Sequence, residues 1–149
     1  MTRRTRRATV FLALAAATAV APIVRAAPHP KVKAPKSGQY KGTTAQHQKL
    51  TLYTSGKSID LAAIQFACLK GVVGSTGLNS IPLKKGKKVY RFSIKAHGSV
   101  SFSDEHPSEN AAVSISGAFS RTARSASGTL RVKSPRCHDT GSVKWKVRR

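Results

Sequence analysis

The sequence predicts an all-β fold: a single antiparallel β-sandwich or closed barrel of about eight strands, carrying one disulfide. Three observations predict it. From Gln39 onward apolar and polar residues alternate with a period of two almost everywhere, the signature of half-buried strands. Turn residues interrupt that alternation at short intervals, as they do between antiparallel strands. Two cysteines, Cys68 and Cys137, sit in a chain that opens like an export signal, and an even pair in an exported chain most often forms a disulfide.

The export signal has three parts. Arg3, Arg4, Arg6 and Arg7 give a cationic start, Ala8 to Val24 is an apolar stretch, and Val24-Arg25-Ala26 offers a signal peptidase its small or β-branched positions. Cleavage is expected after Ala26, with Ala27 the near alternative. A membrane anchor fits less well. Spanning helices want about 20 apolar residues, and this run of 17 is Ala-rich and broken by Pro22. Arg3-Arg4 and Arg6-Arg7 resemble twin-arginine signals, but Ala8-Thr9 follows where large apolar residues belong, so the general secretory route is favoured. The mature protein is therefore expected outside the cell, with no transmembrane segment after processing.

Residues 27–38 (APHPKVKAPKSG) read as a disordered Pro/Lys-rich lead-in, and residues 39–149 as one β domain with one core. Strands are expected at Gln39–Thr44, Lys49–Thr54 and Ser58–Cys68. In the last of these the apolar phase shifts between Ala63 and Ile64, which a β-bulge would produce. Gly71, Gly74 and Gly77 mark a loop, and Lys84 to Lys88 a basic turn. Val89 to Ala96 is the clearest strand, with Tyr90, Phe92, Ile94 and Ala96 on one face; His97-Gly98 then reads as a turn into Ser99–Phe102. Ala112–Ser120 sets Val113, Ile115 and Phe119 inward. Thr129–Lys133 and Ser142–Arg148 alternate Leu130, Val132, Val143, Trp145 and Val147 with basic residues.

A metal pair or free reactive thiols are the alternatives for the cysteines. Neither has a second Cys two to four residues away, as most thiolate metal sites require.

Several landmarks carry a resemblance. Gly38, Tyr40, Gly42, Thr43, Thr44 and Gln46 match a Gly-x-Tyr-x-Gly-Thr-Thr-x-Gln opening. Phe66 and Cys68 end an early strand, Ala126 to Arg131 read Ala-Ser-Gly-Thr-Leu-Arg, and Cys137, Gly141, Val143 and Trp145 close the domain. In these the chain resembles a group of small secreted actinobacterial β-domain proteins of unknown function. The resemblance implies one β domain with a Cys68–Cys137 disulfide and brings no activity, ligand or site residues. His138, Asp139 and the basic last strand depart from the pattern.

Charge is the dominant compositional signal. The formal net charge is +22; removing residues 1–26 takes five arginines and no acids, which leaves 22 Lys and Arg against five acids, or +17. That far exceeds the magnitude of about 2–8 usual for a small domain, and such a charge attracts anionic polymers. The candidate polyanion-binding residues are Arg131, Lys133, Lys144, Lys146 and Arg148, extended by Arg136 and Arg149. If the two segments pair as neighbours, these cations share one sheet face. The bland reading is that they keep an outer face or an edge soluble and unpaired. The expected partner is an anionic cell-envelope polymer or lipid head groups. Non-specific nucleic-acid binding follows from charge alone, but Phe92, Phe102, Phe119 and Trp145 lie on the core parity and only Tyr53 lies outward, which leaves few rings for base stacking.

Catalysis has little to work with. The acids are Asp60, Asp104, Glu105, Glu109 and Asp139; three lie in the polar loop Ser103–Asn110, and ligand spacing there or at His138-Asp139 is not diagnostic of a metal. No Gly-x-Ser-x-Gly is present, and Ser80, Ser101 and Ser116 have no evident base. No cofactor, metal or catalytic residue is expected. Trp145 reads as a core residue beside the disulfide. The second class of function is a small secreted enzyme or enzyme inhibitor acting through loop residues. Its sign would be a pocket gathering His47, His97, His106 or His138 with a carboxylate.

Overall fold

The computed structural model describes residues 31–68, 71–104 and 106–149. The expected signal segment and its cleavage site lie outside these residues.

Ten strands follow one another: β1 (Gly38–Thr44), β2 (Lys49–Thr54), β3 (Ser58–Ala67), β4 (Val73–Pro82), β5 (Lys84–Lys85), β6 (Tyr90–Phe102), β7 (Glu109–Phe119), β8 (Ser125–Ser134), β9 (His138–Asp139) and β10 (Val143–Arg148). Eight of them form an up-and-down antiparallel barrel; β5 adds to β6, and β9 adds to β8. The closing strand is β10. It pairs with β8 through Val143↔Leu130 to Arg148↔Ser125 and with β1 through Lys41↔Arg148 to Thr44↔Trp145. A strand bonded on both sides leaves no sandwich edge, so the fold is a barrel and not a sandwich.

Eight strands enclose a space just wide enough for side chains to fill, and this barrel fills it. Tyr40, Phe66, Phe92, Phe119 and Trp145 are all buried within, among Leu, Ile and Val. Phe92 stacks on Trp145 with centroids 5.9 Å apart, and Tyr40 meets Phe119 edge-on at 5.2 Å. Burying one such ring stabilises the fold by roughly 1.5–3 kcal/mol. Trp145 is a core residue, as expected; its ring stacks on Phe92 and covers Gly117, where a Cβ would sit 2.6 Å from the indole. The outward positions of the strands are mainly Lys, Arg, Ser and Thr, the reverse of a membrane barrel with its apolar outer band.

Cys68, after β3, and Cys137, before β9, are joined by the disulfide. It clips the β3–β4 loop to the β8–β9 loop across one mouth of the barrel.

Four local expectations are corrected. The bulge in β3 lies at Asp60–Leu61 and not at Ala63–Ile64: Ile59, Ala62, Ile64 and Phe66 point inward, and the register with β2 shifts there. Asp60 is held at the kink by the hydroxyls of Ser58 (2.6 Å) and Ser55 (3.1 Å). Of the glycines taken to mark a loop, Gly71 lies before β4 with a positive φ, but Gly74 and Gly77 lie in strand β4, whose Gly74 leaves room for the Phe66 ring of β3. The expected turn at His97-Gly98 is absent, because β6 runs unbroken and pairs with β7 through His97↔Ala112 and Gly98↔Ala111. Within the basic turn, Lys84-Lys85 form β5, paired to Arg91 and Tyr90.

The described part of the lead-in carries no strand before Gly38, yet it is docked. Pro35 is buried, Thr54 Oγ1 donates to Lys36 O (3.2 Å), and Arg149 donates to Ser37 O (3.1 Å). Between β4 and β6 the barrel seam is narrow, with only Gly74↔Phe102 and Ser75↔Ser101 in register.

Candidate polyanion-binding surface

Strand alternation turns Lys144, Lys146 and Arg148 of β10 outward while Val143, Trp145 and Val147 fill the interior. On the β8 side these cations face Thr129, Ser127 and Ser125. On the β1 side Lys146 faces Thr43 and Arg148 faces Lys41 directly. No carboxylate occupies any of these cross-strand positions, and a like-charged pair such as Arg148 and Lys41 is destabilising on its own.

Arg131 and Lys133 are arranged differently. They lie on the outward face of β8 beyond the start of β10, and both are engaged by Asp139 of β9. Arg131 donates from Nε to Asp139 Oδ1 at 2.8 Å and from its terminal nitrogen to Oδ2 at 2.5 Å; Lys133 Nζ stands 3.4 Å from Oδ2. The Arg131 hydrogen bonds, followed by the Gly141 N–H, hold the Asp139 carboxyl well below the usual carboxylate range. The same bonds raise Arg131 above its ordinary value. The five candidate cations thus divide into three with no acidic cross-strand neighbour and two that share one acid. Arg136, offered as an extension, is turned to Asp104 and lies over the Phe102 ring at 5.4 Å; Arg149 is drawn to the lead-in.

Sequence reasoning missed a second concentration of charge. At the mouth away from the disulfide, Lys31 and Lys33, Lys87 and Lys88 of the β5–β6 turn, and Arg121 of the β7–β8 turn rim a cleft of about 690 Å³. These residues are scattered along the chain, and only the up-and-down topology brings their turns to one end.

The four described carboxylates all have structural partners: Asp60 in the β3 kink, Asp104 with Arg136, Glu109 accepting the Arg136 N–H at 3.0 Å, and Asp139 with β8. His97, on the outer face of β6, shares its depression with Lys95, Arg131 and Lys133 and no carboxylate. Among the described residues no three His, Cys, Asp or Glu side chains gather in a way that could hold a metal ion. One buried polar atom, Trp145 Nε1, has no hydrogen-bond partner among the described residues, a cost of about 1–3 kcal/mol.

Comparison of the chain with protein-family models, with curated proteins and with solved structures finds no match in any of the three. A β-barrel by itself assigns no activity.

Proposed function

We propose that this protein is a non-enzymatic module, exported by removal of residues 1–26, that binds an anionic polymer of the cell envelope or its surroundings through the outer face centred on β10. One observation carries the reading. Lys144, Lys146 and Arg148 line a strand that is hydrogen-bonded on both sides, so they do not protect an exposed edge. A run of outward cations with Lys41 opposite Arg148 and no acid across the strands costs stability in isolation; a polyanion laid across it converts that cost into binding.

The test is retention on a heparin column as a function of salt. Lys144→Gln with Lys146→Gln should lower the eluting salt and reduce the slope of log K against log salt by about one for each lysine removed, the signature of released counterions. An unchanged slope and elution position, in a variant that melts like the parent, would overturn the proposal.

A further inference from the structure

Strand β7 turns only small side chains outward along its middle: Ala112, Ser114, Ser116 and Ala118. Longer, cationic side chains stand on either side. Following the register across the barrel, Arg91 of β6, Ala118, Ser127 of β8 and Lys146 of β10 form one row, and Ser93, Ser116, Thr129 and Lys144 form the next. The third row is Lys95, Ser114 and Arg131; the fourth is His97, Ala112 and Lys133. The result is a trough with a floor of hydroxyls and methyls and two walls of basic side chains, of which Arg131 and Lys133 also hold Asp139.

The trough is continuous. Three depressions of about 520, 240 and 360 Å³ lie end to end along β7. The first two share Ser93, Ser116 and Thr129, and the last two share Lys95, Ser114 and Arg131. From Ala118 to Ala112 the strand rises by about 20 Å, and with strands about 4.8 Å apart the walls stand roughly 14 Å apart at Arg91 and Lys146 and roughly 10 Å apart at Lys95 and Arg131.

We propose that this trough seats a single chain of a linear acidic polysaccharide, lying parallel to β7. The inference rests on the polyanion-binding reading and names its site and ligand class. Two features select that class. The floor hydroxyls both donate and accept, as the contact between Ser116 Oγ and Thr129 Oγ1 at 3.1 Å illustrates, and this suits a chain rich in hydroxyls. The nearby rings, Phe92 and Trp145, point inward beneath the floor, so no platform for base stacking is presented.

The experiment uses a polygalacturonate oligomer as probe and titrates it into the mature protein by calorimetry. Ser116→Trp fills the floor without changing charge. Ser75→Trp, on the outward face of β4, is the control, and thermal melting of both verifies the fold. The expected result is at least tenfold weaker oligomer binding and weaker heparin retention for Ser116→Trp alone, with its elution from a sulfonate cation exchanger unchanged. Amide shifts in the wild type should move together along 112–118 and 127–131. Equal binding by Ser116→Trp, or a duplex DNA of matched charge competing as well as the oligomer, would overturn the trough. Should Ser116→Trp fail to fold, amide shifts confined to other strands would overturn it equally. A wild type that ignores the oligomer, and whose heparin retention Ser116→Trp does not change, sinks the trough alone, whereas one that binds neither probe sinks the polyanion reading with it.

Discussion

At one mouth of the barrel the loops carry Cys68, Asp104, Arg136, Cys137 and Asp139; at the other they carry Lys57, Lys87, Lys88, Arg121 and Arg124. The first mouth is tied by a covalent bond and by ion pairs from Arg131, Lys133 and Arg136 to their acids. The second is tied by hydrogen bonds that spend no charge. There Tyr40 Oη donates to Ala123 O at 2.8 Å and accepts from Lys36 N, while Thr54 and Arg149 hold the lead-in. Of the described acids only Asp60 lies at that mouth, and its recorded partners are serines. The difference teaches where each kind of restraint is used: positive charge is neutralised at the stapled end and left available at the hydrogen-bonded end and on the β10 face.

If that division is right, breaking the staple has the largest effect on stability and little on polyanion binding. The bond spans 69 residues of sequence, and closing a loop of that length is worth about 4 kcal/mol in the chain-entropy model. Cys68→Ala with Cys137→Ala should lose about that much in denaturant unfolding, while heparin retention of the folded fraction stays put. A loss below about 1 kcal/mol would mean that barrel closure alone organises that mouth.

The matching perturbation at the basic mouth is smaller. Tyr40→Phe removes the donor to Ala123 O and leaves a buried carbonyl unpaired, which costs about 1–2 kcal/mol. Ala123 sits at φ 56°, an unfavourable conformation for a residue with a Cβ, so the β7–β8 turn depends on that bond. Amide exchange should therefore quicken around 121–124 and not around 134–139. Faster exchange at the disulfide mouth as well would erase the distinction between the two ends.

Large apolar residues made β7, β8, β10 and the first half of β6 legible in the sequence, and the cysteine pair was legible from the export-like start of the chain and from parity. β4 was not, because its message lies on its neighbours: Gly74 and Gly77 are small so that Phe66 and Leu61 of β3 can lean over them. Closure was equally hidden. β10 meets β1 across some hundred residues of chain, and no local pattern encodes that pairing. For the site, alternation placed Lys144, Lys146 and Arg148 on one face. It could not foresee that Asp139 would take up Arg131 and Lys133, since β9 is a two-residue strand without periodicity. The cleft at the basic mouth and the small-residue run of β7 acquire meaning only once register sets their neighbours.

The finest test of the comparison is Asp139, the acid that sets Arg131 and Lys133 apart from the β10 cations. Its folded-state carboxyl titrates below its unfolded value because Arg131 bonds it. A depressed pKa stabilises the fold fully above the ordinary carboxylate range, near pH 4, and the contribution disappears as pH falls through the lower folded value. The pair is exposed, so the effect is small. Asp139→Asn should therefore melt slightly below the wild type at pH 6, and the gap should close as the pH drops through 4 and below. The same substitution frees Arg131 and Lys133, so heparin retention at pH 7 should rise beyond what one lost negative charge gives at a distant site; Asp60→Asn is the control for that. Equal gains from the two variants would show that retention reads total charge and not the arrangement on β8 and β10.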